Sequence, residues 1–268
     1  MLSFADRDTT RLLQTGDPEP VERVNPAGAS PVFLTCEHAG RAVPAALGDL
    51  GIPAAEMDRH IAYDVGAEGV ARGLAERLDA ALVLQRYSRL VIDCNRPFEA
   101  RDCVVRESDG TVVPANADIS DRDRRRRYVE IHQPLHEAIS AALDQRQASG
   151  RPLLLVSMHS FTPVMRATGA VRDFELGLLY NRDARLAERL AQTFRAANPD
   201  ITVKLNAPYH VDDISDYTIP VHGERRGIAH VLLEVRNDLI NDARGQEEWA
   251  HRLAAPLRLA AASLEGNA

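Results

Sequence analysis

The chain is short of several things, and each absence narrows what it can be. No apolar run approaches the roughly 18 residues that a membrane span needs, and no stretch has the build of a secretory h-region. Positive charge is not in excess: 32 Lys and Arg stand against 39 Asp and Glu, a formal net charge of −7. A general nucleic-acid binder would carry the basic footprint that is missing here. Cysteine occurs three times, as Cys36, Cys94 and Cys103, without zinc-ribbon spacing and without an even set for disulfides, which points to a reducing cytoplasm. Phosphate-binding loops, dinucleotide fingerprints and Gly-x-Ser-x-Gly nucleophile elbows are also missing. What is present is a 268-residue chain with 45% hydrophobic and 26% charged residues, ordinary for a globular protein with ample core. Open α/β sheets of this length are common as one domain.

The first thirty residues mix charges, prolines and small residues without sustained periodicity and read as a loosely ordered arm, with a short helix near Asp8 to Leu13. From Pro31 onward apolar runs alternate with helical ones. Strand candidates are Val32–Cys36, Ala81–Gln85, Leu90–Asp93, Leu153–Met158, Glu175–Tyr180, Ile201–Leu205 and His230–Val235. Val70, Leu74 and Leu78 recur at four-residue spacing in a helix that opens near Asp64, a chemically reasonable N-cap. A long helical region from Ser120 to about Gln147 is expected to be interrupted near Pro134. Asp183 caps a helix carrying Leu186, Leu190 and Phe194, and Trp249, Leu253 and Leu257 mark a closing helix that Pro256 should kink or break. Asp109-Gly110 signals a hairpin turn. This alternation predicts a single α/β domain over residues 31–268: a mixed, largely parallel sheet with helices on both faces.

In such sheets ligands bind beyond the carboxyl ends of the strands, and the polar residues expected there form a coherent set. Glu37 and His38 follow the first strand of the domain, Asp64 opens the next helix, Asp93, Asn95 and Arg96 follow another strand candidate, His159 ends the most apolar run, and Glu234 and Arg236 lie on the last strand. Two histidines and a carboxylate from separate strand ends can form an open three-ligand zinc site with a place for water. A further carboxylate can take a proton from that water, and an Asn-Arg pair suits a substrate carboxylate. These residues describe a metal-dependent hydrolase.

Eight segments in order carry a more specific signal. They are Cys36-Glu37-His38-Ala39-Gly40, Asp64-Val65-Gly66-Ala67, Asp93-Cys94-Asn95-Arg96-Pro97, His159-Ser160-Phe161, Asn206-Ala207-Pro208-Tyr209, Tyr217-Thr218, His222 to Gly227 and Leu233 to Ile240. Across residues 31–263 the chain resembles the N-formylglutamate amidohydrolase family. The resemblance implies a phosphorylase/hydrolase-like fold of the zinc-carboxypeptidase and aspartoacylase kind, one Zn²⁺ per chain, and hydrolysis of N-formylglutamate or a related small N-acyl amino acid in amino-acid catabolism. It makes His38 and His159 metal ligands and Glu234 the general base, and it likens Asn95-Arg96 to a carboxylate-binding pair. Carboxypeptidases place a glutamate three residues after their first histidine, where this chain has Arg41, so the third ligand comes from elsewhere: Asp64 first, Glu37 as the alternative. His222 is expected to polarise the acyl oxygen or to contact substrate, with Ser160, Tyr209 and Arg236 as further contacts. Arg41, Arg89, Arg225, Arg226 and Arg236 are candidates for a side-chain carboxylate.

Other readings compete. Cys36 or Cys94 with a nearby histidine would make a metal-free cysteine hydrolase, and a member of the same fold that binds metal or ligand without turnover is a third possibility. His132 and His136, four apart, read as structural because Pro134 lies between them, and Arg122 with Arg124 to Arg127 reads as a solvated helix face among acidic neighbours.

Overall fold

A computed structural model describes residues 11–265 of the chain; the short helix expected near Asp8 to Leu13 falls mostly outside them. The first half of the chain supplies β1 (Val21–Val24), β2 (Val32–Cys36), α1 (Ala67–Leu78), β3 (Ala81–Gln85), a hairpin of β4 (Glu107–Ser108) and β5 (Thr111–Val112), α2 (Pro114–Ala117), α3 (Asp121–Arg127) and α4 (Gln133–Ala148). The second half supplies β6 (Leu154–Phe161), β7 (Leu176–Leu179), α5 (Arg185–Ala197), β8 (Val203–Leu205), β9 (Ala229–Arg236) and α6 (Ala243–Glu265).

Seven strands form one sheet in the order β1-β3-β2-β6-β9-β7-β8. The β2/β3, β2/β6, β6/β9 and β7/β8 pairs are parallel, whereas β1/β3 and β7/β9 are antiparallel. The sheet is therefore mixed and largely parallel, as the strand–helix alternation predicts. Successive side chains of β6 and β9 alternate between the faces. Val156, Met158, Val231 and Leu233 join α1, α5 and α6 in one apolar layer, and Leu155 meets α4 in another. Helices cover both faces.

Four local expectations change. Val21–Val24, within the segment read as an arm, is an edge strand on β3, its charged Glu22 and Arg23 suiting an unpaired edge. Leu90–Asp93 is not a strand but a buried turn segment. It follows β3 too closely for a parallel crossover, which takes a dozen residues or more. Its carbonyls are satisfied by side chains instead: Asn116 donates to Leu90 O and Arg127 to Val91 O. Arg127, read as part of a solvated face, is consequently 2% exposed, and Arg124 donates to Phe98 O and Ala100 O. Finally, α6 runs through Pro256 without a break, since its apolar face is held by α1 and α5.

Other local signals behave as their chemistry requires. Ser120 caps α3 by accepting from Asp123 N at 3.0 Å. The helix then widens into one π turn, Tyr128–His132, just before α4 takes Pro134 into its first turn. A widened turn relieves the clash between the proline ring and the preceding carbonyls. Asp109 and Gly110 both have positive φ (45° and 79°), the pairing that a tight two-residue hairpin needs. Gly66 also lies at positive φ, and a Cβ there would stand 2.0 Å from the Ile240 carbonyl, so the chain entering α1 can press against the end of the sheet only as glycine.

Candidate functional site

Parallel strands β2, β6 and β9 end on the same side, and residues at and just beyond those ends build the site. His38 comes two residues after β2, and the Asp64 N–H donates to His38 O at 2.9 Å, tying the two loops together. Asp64 is not the helix cap: Gly66 holds that position, no side chain caps α1, and the Asp64 carboxylate turns toward β6. His159 lies within β6, which extends past the expected end to Phe161, and it is in register with Glu234 on β9. Residues paired across neighbouring strands project to the same face, so the strand pairing alone places Glu234 beside His159.

His38, Asp64 and His159 converge. The two Nδ1 atoms are 3.1 Å apart, His159 Nδ1 is 2.8 Å from Asp64 Oδ2, and His38 Nδ1 is 3.4 Å from the same oxygen. Tetrahedral coordination with bonds of about 2.0 Å puts ligand atoms about 3.3 Å apart, close to all three separations. Tautomers support the same conclusion. His38 gives Nε2–H to Asp93 Oδ1 at 2.7 Å, and His159 gives Nε2–H to Glu37 Oε2 at 2.9 Å. Both Nδ1 atoms then face each other and a carboxylate oxygen in a buried space. Against burial, Asp64 and Glu37 raise the His159 imidazole well above its ordinary range, and a proton on its Nδ1 satisfies that nitrogen and Asp64; a divalent cation would satisfy all three atoms. These three residues are thus suited to hold a divalent metal through two nitrogens and one oxygen, leaving a coordination place open.

The surrounding charges agree. Burial alone would raise the Asp64 carboxyl, but His38 and His159 hold it well below the usual carboxylate range. Asp93 is likewise held down against burial by Arg89 and then by His38. Arg89 clamps the arrangement, with Nε and Nη2 on Asp93 Oδ2 (3.0 and 2.6 Å) and Nη1 on Asp64 Oδ1 (3.2 Å). Glu234 is the exception. Burial, with Asp64 adding to it, pushes its carboxyl up to about 8 against the pull of His159, Arg89 and Arg172. Its Oε2 is buried without a hydrogen-bond partner among the described residues. Such an oxygen, in a cavity of about 470 Å³ that also contains His38, Asp64 and His159, is placed to accept a proton.

The structure separates the other expected site residues. Ser160, Asn95, Arg96 and Tyr209 line the same cavity. Asn95 is engaged with the 216–218 segment, accepting from Thr218 N at 3.0 Å and donating to Asp216, and Arg96 donates to Ser215 O and pairs with Asp102. Glu37, the alternative ligand, lies on the far side of the His159 ring, where Ser157 also donates to it at 2.8 Å, so it is placed to orient that ring and not beside His38 and Asp64. His222 is not at the cavity: it sits in a π turn with Nε2 3.0 Å from His136 Nδ1, and burial drives its imidazole down to about 4. Arg236, the last residue of β9, does not line the cavity either; it is paired with Asp238 and Glu175. His132 and His136 accept no ligand role, each bonding a backbone carbonyl, Arg96 O and Cys94 O.

Sequence reasoning left Asp93 without a role and offered Arg89 only as a candidate for a substrate carboxylate, whereas Arg89 is held by Asp93 and Asp64. Their signal was the Arg89–Asp93 spacing in a buried segment that also carries the Asn-Arg pair. Replacing the imidazole partners, by Asp93→Asn or Glu37→Gln, is expected to weaken zinc affinity about 10–100-fold in competition titrations; unchanged affinity in both would remove their orienting role. The cysteines offer no rival nucleophile. All three are buried, and burial pushes the Cys36 and Cys94 thiols well above their ordinary range.

A largely parallel α/β sheet, with histidines and carboxylates gathered past its strand ends, defines a hydrolase domain rather than a nucleotide-binding one. The N-formylglutamate amidohydrolase family profile matches residues 30–241. The chain belongs to the N-formylglutamate amidohydrolase family and is an amidohydrolase with a small-molecule substrate. A gene product of Agrobacterium tumefaciens superimposes with a TM-score of 0.90 at 36% identity, covering 95% of this chain and 100% of that one. An N-formylglutamate amidohydrolase from Ralstonia eutropha JMP134 has the same fold (TM-score 0.66, 20% identity, 93% of this chain and 100% of that one). A metallo-carboxypeptidase from Burkholderia cenocepacia is more distant (TM-score 0.41, 13% identity, 97% and 65%). Comparison with curated protein sequences gave no match. Among the described residues no helix is long and apolar enough to cross a membrane.

Proposed function

We propose that this protein is a zinc-dependent amidohydrolase that cleaves the formyl, or a larger acyl, amide of a small N-acyl amino acid such as N-formyl-L-glutamate, in the cytoplasm. The observation that carries the reading is the triangle of two Nδ1 atoms and one carboxylate oxygen beside an unpartnered buried glutamate. Held by His38, Asp64 and His159, a zinc ion would supply a water of lowered pKa and polarise the acyl oxygen.

The chain's own residues do the rest. Positive charge in the triad draws the Glu234 carboxyl down from its raised value, so that the carboxylate accepts the proton of the attacking water. Glu234 then passes that proton to the amine nitrogen as the C–N bond breaks, giving the acid and the free amino acid. Arg89 keeps Asp64 and Asp93 ionised and in place, and Asp93 and Glu37 hold both imidazoles with Nδ1 toward the reaction. Ser160 fixes the wall, its N–H on Asp64 Oδ2 at 3.3 Å and its hydroxyl on Val65 O at 2.9 Å.

Purified protein is expected to release glutamate from N-formyl-L-glutamate, to lose that activity on chelation and to regain it with zinc. Bound zinc without turnover of any N-acyl amino acid would favour the reading of a binding protein without activity. Turnover that survives full metal removal would end the proposal.

A further inference from the structure

A substrate of this class carries a free carboxylate, and two of the cations nearest the site are already spent. Arg89 is bound to Asp93 and Asp64. Arg96, half of the pair expected to bind carboxylate, is committed to Ser215 O and Asp102. Arg172 differs. It belongs to the segment between β6 and β7 and forms no ion pair among the described residues. Its guanidinium lies 4.9 Å from the centre of the Tyr209 ring and 5.8 Å from that of Phe161, and both rings form walls of the cavity.

The mounting is firm. Arg172 N donates to Pro163 O at 2.8 Å, its Nη1 donates to Thr162 O at 3.2 Å, and the neighbouring Val171 is bridged to Val164. The Thr162 carbonyl takes one of the five guanidinium N–H donors and the Tyr209 hydroxyl engages another, so donors remain for a carboxylate. Arg172 and Glu234 also sense each other electrostatically, as do Arg172 and Tyr209, so the three groups share one locality.

Resting on the proposed amidohydrolase reading, we infer that Arg172, steadied by Tyr209, is the residue that receives a carboxylate of the substrate, in place of the Asn95–Arg96 pair. The carboxylate of an N-acyl glutamate can be the α or the γ group, and both present the same two oxygens to a guanidinium. Tyr209, 45% exposed at the cavity edge, orients Arg172 through its ring face and is a positioning residue for this contact.

Two amides of the substrate separate these cases. Wild type, Arg172→Ala and Arg172→Lys are compared on N-formyl-L-glutamate, on its α-carboxamide and on its γ-carboxamide, with calorimetric binding of each measured alongside turnover. Arg172→Ala is expected to lower kcat/KM for N-formyl-L-glutamate about 10–100-fold, mostly through KM. It should add little further loss on whichever amide lacks the bound carboxylate, and Lys should recover part of the loss. A loss on N-formyl-L-glutamate that is shared by only one of the two carboxamides supports the assignment, and the carboxamide that is spared says which group is held. An unchanged KM, or an equal fall on all three substrates, would overturn it. Wild type that binds N-formyl-L-glutamate in an Arg172-dependent way without hydrolysing it would refute the proposed reaction while upholding this contact. Wild type that neither binds nor hydrolyses it would refute both.

Discussion

Glu234→Gln is expected to lower kcat on N-acyl amino acids about 10²–10⁴-fold while leaving zinc stoichiometry at one per chain. That fall corresponds to roughly 3–5 kcal/mol of lost transition-state stabilisation. Glutamine has the same shape and keeps an oxygen in the cavity, so the fold and the neighbouring His159 should be undisturbed, but it cannot take up a proton. The position also makes the variant informative about stability. Glu234 is buried with Oε2 unpartnered among the described residues, and removing a group that is costly to ionise in isolation should not destabilise the protein. Equal or higher Tm together with a large loss of kcat would be the signature of a group kept for chemistry. Full activity in Glu234→Gln would remove it from the mechanism.

His159→Ala should have an even broader effect, because one ring serves four partners. Its Nδ1 meets Asp64 and His38, and its Nε2 meets Glu37 and Ser157. Without the imidazole, two buried carboxylates lose their shared partner, and leaving such a charge uncompensated costs about 3–5 kcal/mol. The expected results are metal content near zero, activity at background, and a lowered Tm. In wild type, zinc should raise Tm, as any ligand of the folded state does; in His159→Ala that increase should vanish. A variant that still binds one zinc per chain would show that the ligand set is wrong. Glu37→Gln provides the contrast: it keeps all three ligand atoms and should lose affinity without losing the site.

Much of this architecture was readable from local pattern. The runs Val32–Cys36 and Ala81–Gln85 became strands at their expected bounds, and the apolar run ending at His159 became the central strand β6. Period-two alternation in β6 and β9 decides which side chains share a face, and this holds whatever the surroundings. Leu90–Asp93 misled for a related reason: composition reports burial, not hydrogen-bonding partners. An apolar segment whose carbonyls are met by Asn116 and Arg127 looks the same in one dimension as a strand.

The site divides along the same line. That His38, His159 and Glu234 gather in one place was legible because they stand at or near strand ends in a recognisable order. The roles of Glu37 and Asp64, the two rivals for the third ligand position, were not. Both carboxylates touch the ring of His159, one on each nitrogen, and only the side-chain placement across loops far apart in sequence determines which of them faces His38. The same limit hid Asp93 behind His38, carried His222 back to His136, and set Arg172 beside Tyr209. Residue type and period follow from covalent geometry and burial, which act locally. Which nitrogen, oxygen or guanidinium edge meets which partner depends on distances of a few ångströms between segments that only tertiary packing brings together.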